Sequence, residues 1–180
     1  MTRGTSGRLT AALLAGLFLL ALIMPAPARA QAARADLRNA KAEAVGTATL
    51  TDDPDGVRIV LRLAKLLPGP HGLHIHAIGR CDPPAFTSAG GHFNPAVRKH
   101  GLKNPEGPHL GDLPNIVVKS DGSADVEMIA RDVTLGSDTD SHSLFPPTGT
   151  ALVIHEHADD ETTDPAGNAG TRIACGVITR

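Results

Sequence analysis

Apolar and polar residues alternate along several short segments of this chain. The clearest is GVRIVLRLAKL, residues 56–66, with arginines between its apolar positions. Four apolar side chains fall on one face of an extended chain: Val57, Ile59, Leu61 and Leu63. A period of two is that of a β-strand with one buried face, and it does not match the period of a helix. This segment is therefore predicted to be a half-buried antiparallel strand.

Turn-forming residues separate such segments throughout the chain. It contains 19 Gly and 14 Pro but only 4 Phe and neither Trp nor Tyr, so its core must consist of aliphatic side chains. Two stretches without periodicity, residues 79–113 and 158–170, interrupt the strands, and loops of this length are usually functional or disordered. We predict an all-β fold, an eight-stranded Greek-key β-sandwich or barrel with two long functional loops.

The first 30 residues have the pattern of a secretory signal peptide. A basic start precedes the apolar run LTAALLAGLFLLALIM, and the tripeptide ARA fits a cleavage site before Gln31. An uncleaved membrane anchor is the alternative, although a run of about 16 residues is short for a span of roughly 20. We assign residues 1–30 to a cleaved signal, 31–40 to a polar lead-in and 41–180 to one domain.

The charge of the exported chain argues against a nucleic-acid partner. The signal segment carries three Arg and no acidic residue, so 14 of the 17 basic residues remain against 19 acidic ones, a net charge of −5. Nucleic-acid binding normally needs a basic surface. We expect an exported protein, periplasmic or secreted, without a stable membrane anchor after signal cleavage.

The chain has two cysteines, Cys81 and Cys175, and both follow the signal segment. Two cysteines in an exported protein most simply form one disulfide, because thiols oxidise outside the cytosol. The bond would close a loop of about 95 residues and stabilise the fold by roughly 4 kcal/mol. Two separate buried thiols are the alternative.

All nine histidines lie between residues 71 and 157, and their spacing indicates metal binding. His74 and His76 are two residues apart, so on a strand both imidazoles project from one face, about 7 Å apart at Cα. His155 lies on a later predicted strand and can complete a site of neutral imidazoles, which suits copper or zinc.

A second group of candidate ligands follows in the first long loop. It contains three imidazoles and one carboxylate: His92, His100, His109 and Asp112. Three nitrogens and one oxygen are typical of a closed, structural zinc site. An isolated histidine is more often an ordinary surface residue, but seven such groups in one turn-rich chain favour metal sites over coincidence.

Around these residues the chain resembles the copper/zinc superoxide dismutase family. The matching strings run in the family's order: HGLHIHAIG, SAGGHFNP, RKHG, PHLGDLPNI, DGSADV, LVIHEHADD and GNAGTRIACGVI. They cover roughly residues 41–180. The resemblance implies the β-sandwich of that family and a homodimer, with a monomer as the alternative.

The resemblance also implies a role for each site residue. Copper, one per subunit, is held by four histidines: His74, His76, His92 and His155. Zinc, one per subunit, is held by a set that shares the bridging residue His92: His92, His100, His109 and Asp112. Asp159 joins a copper-binding histidine to a zinc-binding one. Cys81 and Cys175 form the family disulfide, and His71 is structural.

The implied activity is dismutation of superoxide, 2 O2•− + 2 H+ → O2 + H2O2. His92 and Arg172 are the implied catalytic residues, one moving a proton and the other guiding the anion to the copper. One alternative is a non-catalytic domain of this type that binds or delivers copper. Loss of a copper ligand or of Arg172 would favour it, and all are present. A sandwich stabilised by zinc alone is another, but it leaves His74 and His76 without a purpose.

Overall fold

A computed structural model describes residues 1–2 and 31–180, so residues 3–30 of the predicted signal peptide lie outside the described residues. The described chain contains nine strands and one short 3-10 helix, Thr87–Ala89. The strands are β1 (Ala32–Asn39), β2 (Ala44–Asp53), β3 (Gly56–Leu63), β4 (Gly69–His71), β5 (Leu73–His76), β6 (Ile116–Val118), β7 (Ala124–Arg131), β8 (Ala151–His155) and β9 (Arg172–Val177). Within the described residues, no helix has the length and apolar character needed to cross a membrane.

The strands form a Greek-key arrangement of antiparallel pairs. Seven of them make one sheet in the order β5-β8-β9-β1-β2-β3-β7, and β4 pairs with β6 in a second sheet. Strands β1, β2 and β3 follow one another as hairpins, and β9 lies beside β1. The chain then leaves β3 through β4, β5 and β6 before β7 returns to pair with β3, a long connection of the Greek-key type. Only Gly72 separates β4 from β5, so this stretch of chain joins the two sheets. The all-β Greek-key prediction is confirmed.

Three details of the predicted organisation are wrong. Residues 31–40 are not a polar lead-in, because most of them form β1, which pairs with β2 and β9. The described chain has nine strands rather than eight, because Gly72 separates β4 from β5. A third irregular connection, residues 132–150, joins β7 to β8. The lead-in prediction failed because the buried positions of β1 include the small residues Ala33 and Ala35, whose apolar signal is weak.

One hydrophobic cluster fills the interior enclosed by the strands. The alternation predicted for β3 is confirmed, with Val57, Ile59 and Leu61 fully buried and Arg58 and Arg62 exposed. Each buried aliphatic side chain of this size contributes roughly 1.5–3 kcal/mol relative to its exposed state.

Strands β5 and β8 are buried on both faces, unlike the half-buried β3. Their inward side chains, such as Ile75 and Leu152, belong to the main core. On the outward face, Phe86 and Ala89 of the loop after β5 pack with Val153 in a smaller cluster. This loop, residues 77–115, therefore covers the outer face on which His74 and His76 lie.

The disulfide predicted from the sequence is confirmed. Cys81 in the covering loop is bonded to Cys175 in β9, with 5.7 Å between the Cα atoms and 94 residues of sequence separation. The bond attaches the loop to the sheet, and Cys175 also packs in the small cluster beneath the loop.

Candidate metal centre

Four of the predicted site residues meet at the outer face of β5 and β8. One nitrogen from each lies within 4.8 Å of the others, in a group of His74, His76, His92 and His155. His74 and His76 extend from β5, and His155 ends the neighbouring β8. His92 comes from the covering loop and forms an isolated bridge with His76. Nε2 of His155 lies 3.5 Å from Nε2 of His76.

Two buried nitrogens of this group have no hydrogen-bond partner among the described residues: Nδ1 of His74 and Nε2 of His92. The other nitrogen of each ring donates to a carboxylate, His74 to Asp159 at 2.6 Å and His92 to Asp112 at 2.8 Å. Each carboxylate thereby selects the tautomer that leaves a lone pair on the unpaired nitrogen. An unpaired buried polar atom costs about 1–3 kcal/mol. The pair of free imidazole nitrogens beside His76 and His155 fits a cation that prefers nitrogen ligands.

A second group forms around the carboxylate of Asp112. Its Oδ1 atom lies 2.8 Å from Nδ1 of His92, 3.0 Å from Nδ1 of His100 and 3.2 Å from Nδ1 of His109. The other oxygen, Oδ2, accepts hydrogen bonds of 2.9 Å from the backbone N–H groups of Gly101 and His109. The backbone thus holds the carboxylate in place, and three nitrogens converge on its free side.

His92 contributes to both groups, since its Nε2 atom belongs to the first and its Nδ1 atom to the second. His74 also has a nitrogen within 4.8 Å of the donor atoms of His92, His100 and Asp112. However, Nε2 of His74 donates a hydrogen bond to Asp159. Nδ1 of His109 instead contacts Asp112 and lies 3.4 Å from Nδ1 of His92. These contacts place His109, rather than His74, with the second group.

Burial and charge lower the pKa of most titratable groups in the two sites and raise that of His100. In the first group, burial lowers the pKa of His76 to about 2 and those of His92 and His155 to about 4. Burial also opposes protonation of His100, but hydrogen bonds to Asp112 and Asp159 outweigh it and raise its pKa to about 9. Burial raises the pKa of Asp112 less than its histidine hydrogen bonds lower it, so the pKa stays well below the usual range. At pH 7 the first group therefore offers neutral nitrogens and the second an ionised carboxylate.

We expect the metal-free protein to lose stability on acidification from pH 6.5 to about pH 4. In this window His76, His92 and His155 stay neutral in the folded chain but take up protons in the unfolded chain, where their pKa is near 6.5. The unfolded state then binds more protons, which lowers the free energy of unfolding as the pH falls.

Urea unfolding of the metal-free protein at pH 7 and pH 4.5 checks this prediction. One histidine that stays neutral in the folded chain and becomes protonated in the unfolded chain lowers the free energy of unfolding by more than about 2 kcal/mol over that range. His100 opposes only a small part of this loss, because its raised pKa of about 9 keeps it protonated in the folded chain while the unfolded chain takes up the same proton mainly between pH 7 and about pH 5.5. A constant free energy of unfolding across the window would contradict the low histidine pKa values.

Arg172 places a cation next to the first group. It begins β9 and pairs in register with His155. Its guanidinium is partly buried and donates to the carbonyl oxygens of Phe86 and Gly90, both at 2.6 Å. Burial lowers the pKa of Arg172, but an arginine stays charged at neutral pH. The Gly90 carbonyl also contacts Nδ1 of His76 at 2.9 Å, so one backbone group orients both side chains.

Asp159 spans the two groups, as the family resemblance implies. Its Oδ2 atom accepts from Nε2 of His74 at 2.6 Å, and its Oδ1 atom accepts from Nε2 of His100 at 3.0 Å. Buried His71 lies outside both groups, and its ring nitrogens contact the carbonyl oxygens of Leu67 and His155 at 2.8 Å. This position agrees with a structural role for His71.

Sequence reasoning missed the groups that hold the site residues in place. The carbonyl oxygens of Phe86 and Gly90 carry no sequence signal, because every residue has one. Asn115 bonds the backbone of Asp159, and a side chain at Gly167 would overlap the Asp159 carboxylate. Asn115 follows Asp112 by only three residues, and that proximity was the one available signal.

Known proteins resemble this chain in sequence and in fold. Residues 44–178 match the family described as copper/zinc superoxide dismutase. The chain is 52% identical over 145 residues to superoxide dismutase [Cu-Zn] 1 of Aquifex aeolicus, an alignment that covers 80% of this chain and 85% of the relative.

Solved structures show the same fold. A double mutant of a superoxide dismutase-like protein from Bacillus subtilis has a TM-score of 0.77 and 44% identity, covering 80% of this chain and 95% of that one. The Cu/Zn superoxide dismutase of Brucella abortus has a TM-score of 0.67 and 28% identity, covering 83% and 100% of the two chains. The sequence match and the shared fold show that the chain belongs to the copper/zinc superoxide dismutase family.

Proposed function

We propose that this protein dismutates superoxide to dioxygen and hydrogen peroxide, with one copper and one zinc ion per subunit as cofactors. One observation carries the proposal: His92 presents an unpaired Nε2 atom to one group of donors and its Nδ1 atom to another. A single imidazole between a nitrogen-only site and a site with a carboxylate suits a pair of different metals.

The donor atoms define both proposed sites. Copper would be held by Nδ1 of His74 and by Nε2 of three histidines: His76, His92 and His155. Zinc would be held by Oδ1 of Asp112 and by Nδ1 of three histidines: His92, His100 and His109. Asp159 supports both sites from outside, because a carboxylate that accepts the remaining ring N–H fixes the orientation and tautomer of a metal-binding histidine.

Copper, when bound, supplies the alternating one-electron oxidation and reduction that the reaction needs. The protein's own part is to bind the anion, hold the ring nitrogens and move a proton. His92 would take up one proton from water at Nε2 in one half of the cycle and give it to the peroxide product in the other, where water supplies the second proton of H2O2. Asp112 keeps the ring in place through its contact with Nδ1.

Arg172 is proposed to bind and orient the substrate. Superoxide is a small anion, and the net charge of the exported chain does not attract it. A local guanidinium does, and the carbonyl oxygens of Phe86 and Gly90 hold it in position beside His155. The cation is thus placed before the substrate arrives, without reorganisation of the site.

Export to the periplasm, or secretion, is proposed for the site of action. The signal pattern of residues 1–30 and the Cys81–Cys175 disulfide support it, since structural disulfides persist in oxidising compartments. The homodimer stays a prediction, with a monomer as its alternative.

A metal-loading assay tests the proposed function. The chain without residues 1–30 is purified, its copper and zinc content is measured, and superoxide decay is followed before and after copper chelation. We expect about one equivalent of each metal, activity that disappears on copper removal, and recovery when copper is restored. A protein that takes up zinc alone, or binds copper without accelerating superoxide decay, would refute the proposal.

A further inference from the structure

Asp159 joins the two metal groups although it lies in an irregular segment. It follows β8 by four residues, in the loop of residues 156–171 that leads to β9. A carboxylate on a loop has many rotamers and backbone positions available to it, and restricting them costs entropy. Yet Asp159 is buried, and its two oxygens reach His74 and His100 at 2.6 and 3.0 Å. Some part of the protein must therefore hold its backbone in place.

The side chain of Asn115 holds that backbone with two hydrogen bonds. Its Nδ2 atom donates to the carbonyl oxygen of Asp159 at 2.8 Å, and its Oδ1 atom accepts from the N–H of Asp159 at 2.8 Å. The amide thus satisfies both backbone groups of one residue, which fixes the position and the orientation of its peptide units. Contacts of this kind are seldom accidental, because the two bonds require a single orientation of the amide.

Asn115 can hold Asp159 because its own position is anchored in the core. The next residue, Ile116, begins β6 and is 1% exposed, and Leu113, two residues before Asn115, is also 1% exposed. Asp112, the centre of the second metal group, lies on the same short segment. Asn115, which is 44 residues from Asp159 in sequence, therefore fixes Asp159 relative to Asp112.

We propose that Asn115 is a positioning residue for both metal sites. It acts through Asp159, whose carboxylate engages Nε2 of His74 and Nε2 of His100 and so leaves their Nδ1 atoms for the metals. This inference rests on the proposed function, since it concerns the residue that connects the two proposed sites. Without the amide, the Asp159 backbone gains freedom, and its carboxylate is held less firmly against the two ring N–H groups, although the N–H of Glu161 still donates to it.

The test compares Asn115→Ala and Asn115→Asp with wild-type protein, in both the metal-free and the zinc-loaded form. Asn115→Asp keeps the size of the side chain and the acceptor for the Asp159 N–H but loses the donor to its carbonyl oxygen. Asn39→Ala is the control. Asn39 also bonds through both atoms of its amide, to the backbone of Lys41 and Glu43 and to the Glu43 side chain, in a turn outside both metal groups.

The first measurement uses metal-free protein and nitrogen-15 NMR spectra of the histidine rings. In wild-type protein and in Asn39→Ala, the Nε2–H signals of His74 and His100 should be visible, because Asp159 protects them from exchange. In both Asn115 variants these signals should broaden or vanish. A merely structural role would lower the unfolding midpoint without removing these two signals from the folded protein.

The second measurement is zinc affinity by competition with a chelator. We expect about a tenfold loss in Asn115→Ala, as for other groups that orient metal-binding histidines, and less than a twofold change in Asn39→Ala. Persistent ring signals together with unchanged zinc affinity in either folded Asn115 variant would overturn the positioning role. Absence of dismutase activity in metal-loaded wild-type protein would instead overturn the proposed function and leave the NMR result standing.

Discussion

Replacement of His155 by alanine is expected to lower the rate of superoxide dismutation by more than about 100-fold, beyond the 10- to 100-fold typical of losing a residue that only orients a ligand. His155 is 3% exposed and contributes Nε2 to the all-nitrogen group, opposite Nε2 of His76. No other described side chain is placed to replace it in that group. We expect the His155→Ala protein to lose its copper while it retains zinc.

The matched control for this substitution is His142→Ala. His142 is exposed and belongs to neither metal group, so its loss should leave copper content and activity within twofold of wild type. Copper content, zinc content and superoxide decay are measured for both variants after identical metal loading. Full activity in His155→Ala would remove this histidine from the proposed copper site, and a loss of both metals would indicate misfolding instead.

Removal of the disulfide by the double substitution Cys81→Ala and Cys175→Ala is expected to lower the free energy of unfolding by about 4–5 kcal/mol, from the loop-entropy relation for a closed loop of this length. The bond spans 94 residues, so it restricts a large part of the unfolded chain. It also holds the loop whose carbonyl oxygens at Phe86 and Gly90 orient Arg172. We therefore expect activity to fall even where the double variant remains folded.

Urea unfolding of metal-free protein measures this effect without interference from the metals. Wild-type protein treated with a reductant is the control, because it keeps both cysteine side chains and loses only the bond. Its unfolding midpoint should lie well below that of the oxidised protein and somewhat above that of the double variant, which also loses the buried sulfur of Cys175. Equal midpoints for oxidised and reduced wild-type protein would show that the disulfide does not stabilise the fold.

The strands that the sequence predicted well are those with large apolar residues. In β3, Val57, Ile59 and Leu61 alternate with polar neighbours and are buried as expected. In β1 the same alternation involves Ala33 and Ala35, and alanine is common in every environment. Pairing with β2 in a hairpin and with β9 from the far end of the chain made this segment a strand, and only the second of these pairings joins segments far apart in sequence. Tertiary context outweighed a weak local signal there.

The metal-site residues were accessible from sequence because histidine and aspartate clusters are rare. The sequence could not predict that these residues come together in space, because His76 and His155 are 79 residues apart and meet only when β5 pairs with β8. The supporting groups were hidden for another reason. A backbone carbonyl such as that of Gly90, or one Asn such as Asn115, looks the same whether or not it holds a functional side chain.

Sequence alone determined the strand-rich class of the fold and the residue types able to bind metals, because each depends on local pattern or on simple counts. It favoured one disulfide over two separate thiols, and the structure decided between them. Only the tertiary structure decided which nitrogen of His92 belongs to which group and which two ring nitrogens lack a partner. It also decided how Asp159 is held between them. The reason is physical: tautomers and unpaired lone pairs depend on atoms brought into contact by folding, and those atoms come from segments that no local pattern connects.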